Sequence, residues 1–307
     1  MSQPRKPRMG VVGVGYLGTF HAQKLKNNPH CELIAVFDTH TDAAAKVARE
    51  LQVQSFNTLE EFIGKVDAVT IAASTQAHHD LALFFLNNGI HVNVEKPLAA
   101  TAAQGEAIVK LARQKKLKLA TGHIERFNPY LMALKKLIKK PLHINLERRG
   151  GFKMRGADVS VLHDLMIHDI DLMFWLTGSE VDTYEFSETS IITDDSDIAS
   201  LQVRLKNNCQ VHIFVSRVAP ATLRTVEVVE QGRLIVADSG SARLWELTKH
   251  PEHSLELQTI EHEVHKHDAL QMEEDAFVKA IIEDSEPLVT GEDGLKALKF
   301  IDELLGR

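Results

Sequence analysis

The chain has 307 residues, 44% of them hydrophobic and 25% charged, and a net charge of −7 at pH 7. This length predicts two domains, and the negative charge excludes a nucleic-acid-binding protein, which needs a concentrated positive face. Its two cysteines, Cys31 and Cys209, lack metal-ligand spacing, so we exclude a disulfide framework and expect no metal. No signal-type segment and no apolar stretch of roughly 20 residues occurs, so we expect a cytoplasmic protein without a membrane partner.

The first third of the chain alternates short apolar runs with helical patterns. Strands are predicted at residues 9–14, 32–37, 68–73, 90–94 and 118–121, with helices at 16–26, 42–51, 75–88 and 102–114 and a short helix around Phe62. This alternation predicts parallel strands joined by right-handed crossovers, because both faces of each strand must be covered. We therefore predict a doubly wound α/β Rossmann domain at residues 1–121.

Beyond residue 121 the pattern changes to alternating runs joined by turns. Helices are predicted at 129–139, 161–176, 269–283 and 294–305, and strands at 142–148, 181–192, 198–205, 210–215, 225–229 and 234–237. An Asn-Asn pair at 207–208 and a Gln-Gly pair at 231–232 stand where hairpin connections would fall. We predict an α+β domain at residues 122–307 with a large, mainly antiparallel open sheet and a C-terminal helix able to pack back on the first domain.

A glycine-rich segment, GVGYLG, begins at Gly13 and links the first predicted strand to the first predicted helix. Gly13 permits a tight turn, Gly15 lets a pyrophosphate approach the backbone, and Gly18 allows close packing of helix on strand. The backbone amides of Tyr16 and Leu17 then face an anion at a helix N-terminus. We predict that this turn binds the diphosphate of a dinucleotide.

Asp38 ends the second predicted strand, 20 residues beyond Gly18. A carboxylate at this place accepts hydrogen bonds from the adenosine ribose hydroxyls and repels a 2′-phosphate. The following residues, Thr39 and His40, include no arginine that could receive such a phosphate. We therefore predict NAD(H) rather than NADP(H) as the cofactor. In the alternative interpretation, Asp38 only caps the turn that follows it.

Two further segments are informative. EKP at 95–97 follows a predicted strand, and DLMIHD at 164–169 lies on a predicted helix. Together with the glycine turn and STQAH at 74–78, they resemble, in order along the whole chain, the glucose–fructose oxidoreductase / inositol dehydrogenase / MocA (Gfo/Idh/MocA) family. The resemblance implies a cis peptide bond before the proline of EKP. Besides the glycine turn and Asp38, the cofactor-binding residues that it implies are Ser74, Thr75, His78, Glu95, Lys96 and Pro97.

The resemblance also implies that Lys96 points toward the nicotinamide and the substrate hydroxyl, and that His168 is a catalytic acid/base with Asp164 nearby. The i,i+4 spacing places Asp164 and His168 side by side on a helix. The unperturbed pKa of a histidine is about 6.5, so it exchanges protons near neutral pH. The unperturbed pKa of a lysine is about 10.4, and the environment must lower it before the lysine can act as a base. We expect His168 to accept the proton and Lys96 to bind or relay the hydroxyl group. The alternatives are an ordinary helix pair and a surface lysine.

A closer resemblance lies in GHIERFNP at 122–129, RGAD at 155–158 and SR at 216–217. These segments are similar to a subgroup that oxidises C3 of nucleotide-linked amino sugars, in particular UDP-N-acetylglucosamine. A UDP-sugar carries a diphosphate, which guanidinium groups bind in two-point contacts. The substrate-binding residues predicted in these segments are Arg126, Asn128, Arg155 and Arg217. The alternative is that the arginines pair with acidic residues on the sheet.

These observations predict an NAD-dependent dehydrogenase that oxidises a secondary alcohol of a nucleotide sugar. A free-sugar or inositol dehydrogenase is the alternative among enzymes, and a non-catalytic NAD(H)-binding sensor is the alternative of another class. The sheet of the second domain resembles those that pair in family dimers and tetramers, which implies a homo-oligomer. The late histidines His262, His265 and His267 have no carboxylate at ligand spacing on a clear helix and are expected at the surface.

Overall fold

The computed structural model describes residues 5–154, 159–251 and 255–307. The chain forms two compact units, Met1–Ile124 with Asp268–Asp302, and Glu125–His267 with Glu303–Arg307. Within the described residues, no helix combines the length and the apolar character needed to cross a membrane.

The strands and helices follow one another closely along the described residues. The strands are β1 (Arg8–Val12), β2 (Glu32–Phe37), β3 (Gln54–Ser55), β4 (Ala68–Ile71), β5 (His91–Glu95), β6 (Leu119–Gly122), β7 (His143–Arg149), β8 (Val181–Thr189), β9 (Ile198–Leu205), β10 (Gln210–Ser216), β11 (Leu223–Glu230), β12 (Arg233–Asp238), β13 (Arg243–Lys249) and β14 (Leu257–Glu261). The α-helices are α1 (Tyr16–Asn27), α2 (Thr41–Leu51), α3 (Thr75–Asn87), α4 (Ala102–Lys115), α5 (Pro129–Leu137), α6 (Ile167–Thr177), α7 (Ala269–Ile282) and α8 (Gly291–Leu304).

The first unit contains a parallel sheet in the order β3-β2-β1-β4-β5-β6. The strand order reverses between β1 and β4, so the carboxyl ends of these two strands form the switch point at which doubly wound sheets bind ligands. The predicted Rossmann sheet is confirmed. The two-residue strand β3 was not predicted, because two residues are too few to show an apolar pattern.

Apolar side chains cover both faces of this sheet. On one face, Phe62 packs edge-to-face against Phe56 and Phe85, with ring centroids 4.8 Å and 5.5 Å away. On the other face, Met9 of β1 belongs to a buried cluster that includes Phe277 of α7. Helix α7 also packs against α1. A segment from the end of the chain therefore completes the core of the first unit.

The second unit contains a sheet in the order β14-β13-β12-β11-β7-β10-β9-β8. Neighbouring strands are antiparallel except β7 and β10, which are parallel. The predicted mainly antiparallel sheet is thus confirmed, but β13 and β14 were not predicted. All five residues of β14 are exposed, so this strand has no buried face and leaves no apolar alternation in the sequence.

Helices α5 and α6 pack on one face of this second sheet. Ile144 and Leu146 of β7 and Ile213 of β10 are fully buried, whereas the alternate residues His212 and Phe214 are half-buried. This alternation is that of a sheet covered on one side. The opposite face is therefore partly open in the single chain.

The helix predicted over 161–176 is not one regular α-helix. A π-helical turn at Leu162–Met166 precedes α6, whose C-cap is Gly178 with a φ of 60°. The π turn widens the backbone hydrogen-bonding pattern from i,i+4 to i,i+5, and the apolar spacing of the segment gave no sign of it. The strand predicted over 181–192 is also shorter, since β8 ends at Thr189.

Candidate active site

The glycine turn follows β1 and lies against the loop that follows β4. Gly13 has a φ of +85°, and a Cβ placed there would stand 2.7 Å from the backbone nitrogen of Ala73. Only glycine satisfies both conditions. A Cβ at Gly15, in contrast, would meet nothing within 4 Å, and Gly15 supplies no side-chain cap to α1. The N-terminus of α1 is thus open to an anion.

Asp38 lies directly after β2 and is tied to the glycine turn. Its Oδ2 accepts a hydrogen bond from the backbone N–H of Val14 at 2.8 Å, and its Oδ1 accepts one from the N–H of His40 at 2.9 Å. The side chain is half-exposed. Oδ1 also accepts a long hydrogen bond of 3.5 Å from the Thr39 hydroxyl, whereas Oδ2 retains a lone pair for a further donor. Asp38 therefore caps the next turn, as in the alternative interpretation, and still offers acceptors to ribose hydroxyls.

The remaining predicted contacts of the glycine turn and the β4 loop sit at the same end of the sheet. Tyr16 begins α1, is 69% exposed, and packs edge-to-face on Phe20 with centroids 5.1 Å apart. Leu17 is half-buried, Ser74 is exposed at the N-cap of α3, and Thr75 is the first residue of that helix. These side chains border the switch point within the first unit.

His78 is not positioned as a cofactor ligand. It is 1% exposed, its Nδ1 lies 2.8 Å from the carbonyl oxygen of Pro97, and its Nε2 lies 3.1 Å from that of Ala73. Burial lowers the pKa of His78 even though both carbonyls oppose this, so the ring is neutral and donates to one of them. His78 thus holds the loops after β4 and β5 together, and its contact with the cofactor stays a prediction.

The EKP segment follows β5, and the Lys96–Pro97 peptide bond is cis, as the resemblance implied. Glu95 is buried; its Oε1 lies 2.7 Å from Nε2 of His21, and its Oε2 accepts the N–H of Lys96 at 3.2 Å. Glu95 therefore points into the protein, and its assignment as a cofactor ligand stays a prediction. Lys96 is half-buried and Pro97 is buried.

In the second unit, Asp164 lies within the π turn and His168 is the second residue of α6. Both side chains are half-buried and thus accessible to a ligand. The expectation that they stack at i,i+4 assumed a regular α-helix, whereas the π turn has an i,i+5 pattern. π turns are frequent at functional sites.

Two buried arginines clamp the helix that carries His168. Arg126 donates to both oxygens of Asp171, from Nε at 2.8 Å and from an Nη at 2.6 Å. Arg148 donates to both oxygens of Asp169 at 2.9 Å. All four residues are buried. These forked pairs fix α6 at two positions directly after His168 in the sequence.

The predicted diphosphate ligands Arg126 and Arg217 are both engaged by acidic residues. Arg217 is buried and donates to Asp197 at 2.8 Å and to the carbonyl oxygen of Val159 at 2.6 Å. Burial acts to raise the pKa of Asp197, but backbone amides and Arg217 outweigh it and hold that pKa well below its usual range. Both arginines are thus in structural ion pairs, the alternative that the sequence left open.

Asn128 and Arg155 complete the predicted substrate contacts. Asn128 is the N-cap of α5, and its Oδ1 accepts the N–H of Tyr130 at 3.0 Å. This cap gives the residue a structural role, and its assignment to substrate binding stays a prediction. Arg155 lies outside the described residues.

The chain matches family models in both units. A model described as an oxidoreductase family with an NAD-binding Rossmann fold matches residues 7–123, and one described as the GFO/IDH/MocA C-terminal domain matches residues 144–235. UDP-N-acetylglucosamine 3-dehydrogenase of Acidithiobacillus ferrooxidans is 35% identical over 232 residues, which cover 75% of this chain and 74% of that protein. The chain belongs to the Gfo/Idh/MocA oxidoreductase family.

Other members of the Gfo/Idh/MocA family extend the comparison. Inositol 2-dehydrogenase of Rhizobium meliloti is 26% identical, over 96% of this chain and 94% of its own. The solved structure of the Acidithiobacillus ferrooxidans enzyme superposes with a TM-score of 0.92 at 31% identity, over 98% of this chain and 97% of that one. This chain is accordingly an NAD-dependent dehydrogenase.

The residues present fit the NAD of this Gfo/Idh/MocA enzyme. The space beside Gly15 and the uncapped N-terminus of α1 suit a diphosphate, and the half-exposed carboxylate of Asp38 suits a ribose diol. Sequence reasoning missed two structural features of this fold, the arginine clamp and the partners of His21. His21 lies on the buried face of α1 with Gly18 and Leu25. A histidine on such an apolar face indicates buried polar partners, and this was the signal in the sequence.

Proposed function

We propose that this enzyme oxidises a secondary hydroxyl of a nucleotide sugar, most specifically C3 of UDP-N-acetylglucosamine, to a 3-keto sugar. The observation that carries the proposal is similarity to a UDP-N-acetylglucosamine 3-dehydrogenase throughout the chain, with a TM-score of 0.92 over 98% of it. The sequence identity of 35% supports the same substrate class.

NAD bound at the glycine turn supplies the hydride acceptor for the carbinol carbon. His168 accepts the hydroxyl proton, because an imidazole exchanges protons near neutral pH at little cost. Lys96 donates a hydrogen bond to the same oxygen and stabilises the charge that develops on it. Asp164, in the π turn, is the acidic group proposed to assist His168.

A free-sugar or inositol dehydrogenase is the second candidate. It is favoured by one observation: Arg126 and Arg217, which were expected to hold the diphosphate, are engaged by Asp171 and Asp197. An inositol dehydrogenase is also similar over 96% of the chain. In the nucleotide-sugar proposal, Arg155 is the remaining candidate among the predicted arginines.

Absorbance of NADH decides between these substrates. The purified enzyme is mixed with NAD and, separately, UDP-N-acetylglucosamine, UDP-glucose, N-acetylglucosamine and myo-inositol, each with and without a keto-acid acceptor and with product analysis. We expect turnover with UDP-N-acetylglucosamine and little with the free sugar. Turnover confined to inositol or a free sugar would replace the proposed substrate.

The role of His168 is tested with a histidine of the same chain as control. We expect His168→Ala to lower kcat on the order of 10²-fold or more while the Kd for NAD is retained. His30→Ala changes an exposed histidine of the first unit and should leave both values unchanged. Loss of NAD binding in His168→Ala would contradict a purely catalytic role.

We also propose that the open face of the second sheet joins copies of this chain into a dimer or tetramer. That face carries half-buried apolar side chains such as Phe214, Val236 and Trp245, whose burial favours association. Light scattering after size exclusion tests this, with Phe214→Glu expected to yield monomers.

Cys31 and Cys209 are free and buried thiols, which supports a reducing compartment such as the cytoplasm.

A further inference from the structure

A buried group of ionisable side chains lies behind the EKP segment in the first unit. His21 of α1 has no exposed surface, and its two ring nitrogens face two carboxylates. Nδ1 lies 2.6 Å from Oε1 of Glu274 on α7, and Nε2 lies 2.7 Å from Oε1 of Glu95 at the end of β5. We call His21, Glu95 and Glu274 the histidine clamp.

A neutral imidazole has one N–H, but this ring has an anionic acceptor on each side at hydrogen-bond distance. Donation from both nitrogens, which makes the ring an imidazolium, satisfies both carboxylates. Burial alone would lower the pKa of His21, yet Glu274 and Glu95 outweigh it and raise that pKa well above its ordinary value. The clamp is thus a buried cation held between two anions.

Other groups face the clamp from the neighbouring elements. Thr70 of β4 donates to both oxygens of Glu274, at 3.0 Å and 3.2 Å. Glu273 of α7 accepts a long hydrogen bond of 3.4 Å from Asn93 of β5. Burial and the charge of Glu95 raise the pKa of Glu273 to about 8. Near neutral pH, Glu273 is therefore uncharged and the clamp carries one net negative charge.

That negative charge is located beside Lys96. The second oxygen of Glu95, Oε2, accepts the backbone N–H of Lys96 at 3.2 Å. Burial acts to raise the pKa of Glu95, but His21, together with the positive charge of Lys96, lowers it. Glu95 is thus an anion whose Oε1 is held by His21 and whose Oε2 accepts the backbone N–H of Lys96.

His21, Glu95 and Glu273 also have ligand atoms within 4.8 Å of one another, a spacing that could enclose a metal ion. A metal would need a lone pair on an imidazole nitrogen. Both nitrogens of His21 already point at carboxylates. The arrangement is that of a hydrogen-bonded cation rather than of an open ligand set.

We propose that His21 and Glu274 are positioning residues for Lys96: they hold the Glu95 carboxylate in place, and Glu95 fixes the backbone of Lys96 and balances its ammonium. This inference rests on the proposed role of Lys96 at the substrate hydroxyl. It explains why a carboxylate 253 residues from His21 is buried in the same place, since burying an anion without such a partner is costly.

The first test is a pair of matched amide variants on α7. Glu274→Gln removes one anion of the clamp, and Asp275→Asn makes the same kind of change at the next, exposed residue. We expect Glu274→Gln to lower kcat on the order of tenfold, because small displacements of a reacting group are expensive, with the Kd for NAD within about twofold of the wild type. Asp275→Asn should match the wild type. Equal kcat in the two variants would overturn the proposal.

A double-mutant cycle separates positioning of Lys96 from general loss of structure. If Glu274 acts through Lys96, adding Glu274→Gln to Lys96→Met should lower kcat no further. Multiplicative losses would overturn the proposal. The cycle uses whichever substrate the wild type oxidises, so an enzyme inactive on UDP-N-acetylglucosamine but active on inositol would reject the proposed substrate and leave this inference open to the same test.

A spectroscopic readout needs no substrate. Long-range ¹H–¹⁵N correlation spectra distinguish imidazolium from neutral histidine, and His21→Gln assigns the signal. We expect His21 to remain an imidazolium at pH 7, where an ordinary histidine is mostly neutral, and to titrate at lower pH in Glu274→Gln. A neutral His21 at pH 7 in the wild type would overturn the clamp, even if Glu274→Gln proves too unstable for kinetics.

Discussion

The Oδ2 atom of Asp38 accepts the backbone N–H of Val14 at 2.8 Å, so the end of β2 is hydrogen-bonded to the middle of the glycine turn. One carboxylate thereby shapes the diphosphate-binding turn and presents its remaining lone pairs toward the place where a ribose is expected. The cofactor preference and the geometry of the turn depend on the same side chain.

Removing this carboxylate should weaken NAD and relax the discrimination against NADP. We expect Asp38→Ala to raise the Kd for NAD roughly tenfold to a hundredfold, since hydrogen bonds to a charged group contribute about 1.5–3 kcal/mol. The Kd for NADP should rise less, because the repulsion of a 2′-phosphate is lost. Calorimetric titration of both dinucleotides measures this. An unchanged Kd for NAD would refute the assignment of Asp38.

The glycines of the turn should separate stability from binding. A Cβ at Gly18 would stand 1.8 Å from the carbonyl oxygen of Gly13, whereas one at Gly15 would meet nothing within 4 Å. We expect Gly18→Ala to lower Tm and to lose NAD binding. Gly15→Ala should keep the wild-type Tm and still lose NAD, because its methyl group occupies the approach of the diphosphate. Thermal unfolding with and without NAD checks both, and NAD binding by Gly15→Ala would contradict the proposed diphosphate site.

Local patterns were sufficient to predict the doubly wound sheet and its turn. The glycines and Asp38 lie within the first 38 residues, the apolar runs recur as far as residue 121, and each reports on its own neighbourhood. The apolar alternation of the second half likewise predicted β9 and β10, because each has one buried face.

Features that depend on distant partners could not be predicted in this way. His21 and Glu274 are 253 positions apart, and Arg148 and Asp169 are 21 apart. Nothing local distinguishes an arginine that binds phosphate from one that is buried against a carboxylate. The position of Arg148 was informative, since it continues the buried alternation of Ile144 and Leu146 on β7, where a charge needs a partner.

The pair of Arg126 and Asp171 should behave as a structural unit. Arg126→Met leaves a buried carboxylate without its partner, and we expect a loss of about 3–5 kcal/mol in the free energy of unfolding. The double variant Arg126→Met/Asp171→Leu should recover most of this loss, because no unpaired charge remains. Denaturant unfolding measures both. If Arg126→Met instead raised only the KM for a UDP-sugar, at unchanged stability, Arg126 would be a diphosphate ligand after all.

Glu273 should make the stability of the protein depend on pH over a defined range. Its pKa is about 8 in the folded chain because burial and the charge of Glu95 raise it, and about 4.3 when unfolded. Folding therefore takes up a proton between these values, so the stability due to Glu273 is fully present below about pH 4.3 and is lost as the pH rises toward 8.

Replacing Glu273 with the uncharged amide removes that dependence. We expect the Tm of Glu273→Gln to exceed that of the wild type by more at pH 8 than at pH 5, since the slope reaches at most about 1.4 kcal/mol per pH unit. The pKa of His21 is also raised. The stability due to His21 therefore also falls as the pH rises, starting near its unfolded pKa of about 6.5. This fall is common to the wild type and Glu273→Gln. Glu283→Gln, at an exposed position of the same segment, should show a constant difference from the wild type. The same constant difference in Glu273→Gln would mean that Glu273 is ionised in the folded protein, and the clamp and Glu273 would then together carry two net negative charges near Lys96.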